Sequence, residues 1–343
     1  MRILLEAHHP AHIHFWKYPI RELQARGHDV RMVGRKRDVM ERLLAAYPWI
    51  DAVVPSQSAS FNRFPLLGML SRQAFVANTI RKFQPDVVAS LMGSYTQSAK
   101  LLGVRNVVFT DSEFQHFNHR IAHPFADEIH TPECFYKELG AKQKRYNGIH
   151  ELAFLDPAYT DFSQVLSARY AELLERPYAI VRMSAWNTFH DISHQGIGDN
   201  LESFVRYLNT HYRVVISAEE SALPESLKEY AATFAPEDFH AVLAGASFVL
   251  TEGASTASEA ACLGVPTVYI NSTEPRGYLQ MLEERYGLLR GFSDSASGLA
   301  VARELVESLN TRLYSEWRDH ATKHIEESID VVAYIVNSVL QES

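Results

Sequence analysis

The sequence predicts an α/β protein of two Rossmann-like domains facing each other across a cleft. Three observations predict it. Short apolar runs alternate with helical patterns from the first residues, the alternation lapses once near 147–177 and restarts, and 343 residues lean toward two domains.

The chain opens with a strand in "RILLEA" and a helix through "RELQARG" that closes at Gly27 and feeds a second strand, which makes one βαβ unit. "PDVVASLMGSYTQSAKLLGVRNVVFTD" repeats the pattern: strand 86–91, a Gly-Ser turn, a short helix closing at Gly103, and strand 105–110. "ADEIHTP" adds a strand near 128–131. From 147 to 177 a Pro-containing stretch and a helix interrupt the series and mark the domain boundary. Strands then recur at 178–183, 213–219, 247–251 and 265–270, with helices between them. The segmentation is an N-terminal domain over 1–155, a linker and helix over 156–176, a second domain over 177–320 and a C-terminal helix over 321–343. In that tail Ile325, Ile329, Val332, Ile335, Val336 and Val339 fall at helical spacing, and the polar face is acidic, which fits packing on a domain better than a membrane surface.

Composition excludes several classes. The net charge is −8 and no Lys/Arg run is interleaved with aromatics, so nucleic acid is not an expected partner. "MRILLEAHHP" is too short in apolar residues for a signal peptide, and no stretch nears the roughly 18 apolar residues of a membrane span, so a cytoplasmic protein with at most peripheral membrane contact is expected. Cys134 and Cys262 lack CxxC spacing and read as buried free thiols.

The stretch "TEGASTASEAACLGVP" carries the strongest chemistry. Strand 247–251 ends at Thr251, residues 252–255 turn, and a helix from about Thr256 runs to Gly264. Its N-terminus would lie at the carboxyl edge of a parallel sheet, where unpaired amides favour an anion. Small side chains at 253–258 would let a diphosphate approach the backbone, Ser255 and Thr256 could donate to it, and Glu259 could accept from ribose hydroxyls. Thr256-Ala257-Ser258-Glu259 also spells a T-x-x-E capping box, which needs no ligand but leaves the small residues 253–255 unexplained.

This segment resembles the donor-site signature G-G-x-G-T-x-x-E-A-x-x-x-G-x-P of GT-B glycosyltransferases and the related UDP-GlcNAc 2-epimerases, with Glu252 and Ala254 where glycines are common. The resemblance implies that Gly253, Ala254, Ser255 and Thr256 form the diphosphate loop and that Glu259 binds ribose. "PAHIHFWKYPIRELQARGHDV" and "VFTDSEFQHFNHRIAHPFADEIHTP" make the whole chain similar to a prokaryotic domain-of-unknown-function family of GT-B-like proteins. A GT-B-like fold with a nucleotide-sugar substrate, UDP-linked by resemblance, is the expectation.

"HHPAHIHFW" puts His8, His9, His12 and His14 after the first strand. Pro19 places the helix start near 15–18 and leaves the histidines on a loop at the sheet's carboxyl edge. They could be packing residues, metal ligands, or a general base for an acceptor hydroxyl. No Cys or H-E-x-x-H spacing supports metal. Laid on the similar opening of the peptidoglycan N-acetylglucosaminyltransferase, which ends in REL-x-x-RGH, His12 falls on that family's loop histidine, although its glycine-rich loop is absent. His12 is the first choice for base and His14 the second. Asp111 and Glu113 could be turn acids or could orient a base and bind sugar hydroxyls. Arg182, with Ser184 and Asn187 as neighbours, follows the first strand of the second domain and could clamp phosphate or pair at the surface.

The expected function is a metal-independent, cofactor-free glycosyltransferase that moves a sugar from a nucleotide-sugar to a hydroxyl of a glycan or lipid-linked acceptor. A nucleotide-sugar 2-epimerase is the alternative, though an "HRREN"-like segment is missing, and a non-catalytic nucleotide-sugar-binding protein is the third. Oligomeric state is not legible in the sequence.

Overall fold

The computed structural model describes residues 1–35, 38–55, 65–93, 95–183, 197, 200–217 and 223–342. The chain divides into two units, Met1–Phe154 with Ser328–Ser343, and Leu155–Glu327.

The first unit holds a parallel sheet of β1 (Arg2–Glu6), β2 (Asp29–Val33), β3 (Ala52–Val53), β4 (Val87–Leu91), β5 (Arg105–Phe109), β6 (Glu128–Pro132) and β7 (Gln143–Tyr146). Their spatial order is β3-β2-β1-β4-β5-β6-β7. The order reverses at β1, where Ile3 pairs with Val30 on one side and Val87 on the other. The second unit holds β8 (Tyr178–Arg182), β9 (Arg213–Ser217), β10 (Phe248–Thr251), β11 (Thr267–Ile270) and β12 (Arg290–Phe292), ordered β12-β11-β10-β8-β9. Here the reversal lies at β8, between β9 and β10.

Parallel strands covered on both faces read as continuous apolar runs. In β8, Ala179 and Val181 join a core layer with Phe204, Leu208, Leu299 and Val306, while Tyr178 and Ile180 join a layer with Val242, Leu243 and Ala260 on the opposite face. Among the described residues no helix is long and apolar enough to cross a membrane. Cys134 and Cys262 are both free thiols, Cys262 buried and Cys134 partly so.

Two expectations change. The first helix runs Pro10–Ala25, not from 15–18: Pro10 takes the first helical position, where its missing N–H costs nothing, and His9 caps the end. Pro19 sits inside this helix. A mid-helix proline costs about 3 kcal/mol, but Phe15, Trp16, Ile20 and Leu23 are all buried, and each such side chain contributes about 1.5–3 kcal/mol. Burial wins. The tail is two helices, Thr311–Glu327 and Val331–Leu340, because Asp330 accepts from the Ala333 amide at 2.9 Å and starts a new helix. Residues 156–176 carry a helix, Phe162–Arg169, and a 3-10 turn, Ala171–Glu175, both within the second unit.

Helix Ala254–Cys262 ends through Leu263 and Gly264, whose φ of +68° is in the left-handed region. A Cβ at Gly264 would lie 3.0 Å from the Arg318 Cα, on helix Thr311–Glu327. Gly264→Ala therefore meets both backbone strain and a backbone neighbour that cannot swing aside. We expect a loss of about 1–3 kcal/mol, measured by urea unfolding. An unchanged midpoint would contradict this.

Candidate functional site

In the second unit the small-residue segment lies where the strand order reverses, the place at which open α/β sheets bind ligands. β10 ends at Thr251, whose Oγ1 accepts from the Gly253 amide at 2.9 Å. Gly253 is the N-cap of helix Ala254–Cys262 and contributes no side-chain cap. The Ala257 amide, bonded to the Gly253 carbonyl at 3.0 Å, is the first to close onto the helix. The amides of Ala254, Ser255 and Thr256 thus precede the helical ladder at its positive end. Ser255 is exposed and Ala254 partly so. Thr256 sits in the third helical position rather than at the cap, and Glu259 in the sixth, so T-x-x-E is no capping box here.

Glu259 falls in the second turn, buried, with Oε1 3.2 Å from His240 Nε2. The departure at Glu252 has a structural cause: its carboxylate accepts from the Ile197 amide at 2.7 Å, and its carbonyl accepts from Asn271 Nδ2 at 2.8 Å. Glu252 fastens the edge; it does not open it. Arg182 ends β8 beside Thr251 of β10, and its carbonyl accepts the Glu252 amide at 3.1 Å. Its guanidinium donates to Ser217 Oγ at 2.6 Å and lies 5.7 Å from the Phe239 ring centre. Ser184 and Asn187 lie outside the described residues.

In the first unit the reversal point at β1 carries the histidines. His8 Nδ1 is 2.6 Å from Glu6 Oε1, and the His8 and His12 rings meet edge to face at 4.2 Å between centres. Glu6 is 2% and His12 4% exposed, whereas the His8 side chain is 25% exposed. Glu6, His8 and His12 each offer a ligand atom, all within 4.8 Å of one another. His9 is used in the helix cap, its Nδ1 accepting from the Ala11 amide. His14 points elsewhere, into a buried contact with Tyr47 and Phe154. Sequence reading singled out His12 but missed Glu6. The signal was Glu-x-His-x-x-x-His, with the acid at the strand's last residue and the second histidine one helical turn after the first.

Asp111 and Glu113 follow β5. Asp111 Oδ2 is 3.1 Å from His150 Nδ1, and Oδ1 accepts from Ser112 Oγ at 3.0 Å. Burial opposes the charge on Asp111, but the His150 charge and the hydrogen bonds from His150 and Ser112 outweigh it and hold the carboxyl below its ordinary range. Burial likewise opposes the His150 cation, and the Asp111 charge and hydrogen bond outweigh it, so His150 titrates above its ordinary value. Glu113 is buried close by: the Cys134 thiol is pushed up to about 12, by burial first and then by the charges of Glu113 and Asp111. His150 was not visible in the sequence, since it lies in the stretch where strand alternation lapses.

Known structures share this architecture. MnaA of Staphylococcus aureus, in a complex with UDP, matches at 14% identity and TM-score 0.69, over 98% of this chain and 95% of its own. UDP-GlcNAc 2-epimerase from Neisseria meningitidis, bound to UDP-GlcNAc, matches at 12% identity and TM-score 0.66, over 99% of this chain and 100% of its own. A Streptomyces glycosyltransferase complexed with thymidine diphosphate matches at 15% identity and TM-score 0.62, over 98% and 99%. No curated protein matches the chain in sequence. At these identities the structural likeness establishes the α/β fold of GT-B glycosyltransferases and UDP-GlcNAc 2-epimerases. Residues 1–334 match one family model, and the chain belongs to that family, "Protein of unknown function (DUF354)".

Proposed function

We propose that the protein is a glycosyltransferase that takes a sugar from a nucleotide-sugar, UDP-linked by analogy with the bound neighbours, and passes it to a hydroxyl acceptor of a glycan or lipid-linked glycan. One observation carries this reading: the start of helix Ala254–Cys262, with small residues at Gly253, Ala254 and Ser255, lies at the strand-order reversal of the second unit, next to Arg182. The helix amides, Ser255 and Thr256 take the diphosphate, and charge growing on it during departure is met by these donors and by the Arg182 guanidinium without a metal on that side. Glu259, beside His240, accepts from the ribose. The acceptor hydroxyl gives up its proton at the Glu6–His8–His12 group of the first unit, where a partly exposed imidazole is backed by a buried carboxylate.

The experiment is thermal unfolding against a panel of nucleoside diphosphates and nucleotide-sugars. A ligand present at about 100 times its Kd should add about 2.7 kcal/mol of stability, and Ser255→Glu, which places a charge in the diphosphate's position, should abolish that gain while leaving the free protein folded. A panel with no stabilising member overturns the donor site.

A second reading, epimerisation of the nucleotide-sugar, is favoured by the pair of buried His150 with partly exposed Asp111, and by Glu113 nearby, since proton removal and return at a sugar carbon needs such groups. NMR of UDP-GlcNAc incubated without acceptor separates the two: a new sugar isomer identifies epimerisation, and an unchanged spectrum leaves transfer.

A further inference from the structure

We propose that Glu6, His8 and His12 form a binding site for one divalent transition cation, Zn²⁺ by ligand chemistry. This goes beyond the donor-side reading and stands on the geometry of the first unit alone. Three ligand atoms of different residues lie within 4.8 Å of one another. Ligands at about 2.1 Å from a tetrahedral Zn²⁺ stand roughly 3.4 Å apart, so small side-chain rotations close the set around an ion.

The hydrogen bond from His8 explains one oxygen of Glu6 and no more. Glu6 Oε2 is buried and has no hydrogen-bond partner among the described residues. A carboxylate 2% exposed with an unused oxygen is costly to keep. A cation between it and the two imidazoles would remove that cost. The supports are rigid: Glu6 is the last residue of β1, paired on both sides, and its carbonyl accepts from buried Trp16 Nε1 at 3.0 Å. His12 is held on the first turn of helix Pro10–Ala25. His8, a quarter exposed, leaves the solvent side open for a further ligand.

Two imidazoles and one carboxylate are the ligand set of a borderline cation with an open position, not of Mg²⁺ or Ca²⁺, which prefer all-oxygen shells. An alcohol or water bound in the open position is acidified, its proton passing to solvent. This last step rests on the acceptor reading above and replaces the imidazole as base: the hydroxyl would ionise as a ligand of the cation, with His8 and His12 serving as ligands rather than as proton acceptors.

The test is titration of the full chain, stripped by chelator, with Co²⁺, read by its visible d–d absorption and by calorimetry. One Co²⁺ per chain is expected, displaced by Zn²⁺. His8→Ala and His12→Ala should each weaken binding about a hundredfold or more, beyond what losing an outer-shell partner costs, and His211→Ala, on exposed surface of the second unit, should not. Because His8 is partly exposed, His8→Ala should fold, which near-ultraviolet circular dichroism checks. Absence of saturable binding, or binding that survives both His8→Ala and His12→Ala, overturns the site. Nucleotide stabilisation on the same samples keeps the readings apart: its absence with Co²⁺ binding intact strikes the donor site alone, and the converse strikes the cation site alone.

Discussion

His12→Ala is expected to release nucleoside diphosphate from the donor about 10²–10⁴-fold more slowly than the wild type in the presence of a hydroxyl acceptor, with nucleotide stabilisation unchanged. The effect follows from placement. His12 is buried on the first helical turn, its ring meeting that of His8 edge to face, and His8 Nδ1 is paired with Glu6 Oε1. Removing it takes away one of two imidazoles at the point where the first unit's strand order reverses, while the donor segment 253–259 belongs to the other unit. His14→Ala is the contrasting variant. It deletes a ring packed on Tyr47 and Phe154, so it should cost stability rather than rate. Full activity in folded His12→Ala protein would end the role of this group.

Asp111→Asn should destabilise the first unit by about 3 kcal/mol near pH 5.5, the low end of the usual cost of breaking a buried ion pair by removing one partner, because 17% of the Asp111 side chain is exposed. The pH dependence has a definite sign. His150 has a raised value in the fold, so its contribution is complete below its ordinary 6.5 and fades as pH climbs through the folded value. Asp111 has a lowered value, so its contribution is complete above its ordinary 3.8 and fades as pH drops through the folded value. The gap between wild type and variant should be widest between those two ordinary values and narrower at pH 9. Urea unfolding at pH 5.5 and pH 9 measures it. Equal gaps at both would mean that His150 does not share its charge with Asp111.

The central strands were readable because a strand buried on both faces is mostly apolar, as in Val87–Leu91, with Ser90 its one polar residue, and Phe248–Thr251, polar only at its end. The strands that escaped, Ala52–Val53, Gln143–Tyr146 and Arg290–Phe292, all lie at sheet edges, where one side needs no apolar cover and two to four residues suffice. Pro19 read as a local breaker puts the start of the first helix at 15–18 rather than at Pro10. Its neighbours' burial decided otherwise.

By itself the sequence determined the α/β alternation, the donor-like segment 251–266 and the histidine cluster after the first strand, because periodicity, turn chemistry and small-residue runs are local properties of the chain. Only the tertiary structure decided that Asp111 meets His150 across 39 residues, that Glu259 lies against His240, and that Gly264 is fixed by Arg318. The reason is physical. A charge or an imidazole acquires its partner from the strand order and the packing of distant elements, and no local pattern records which distant element arrives.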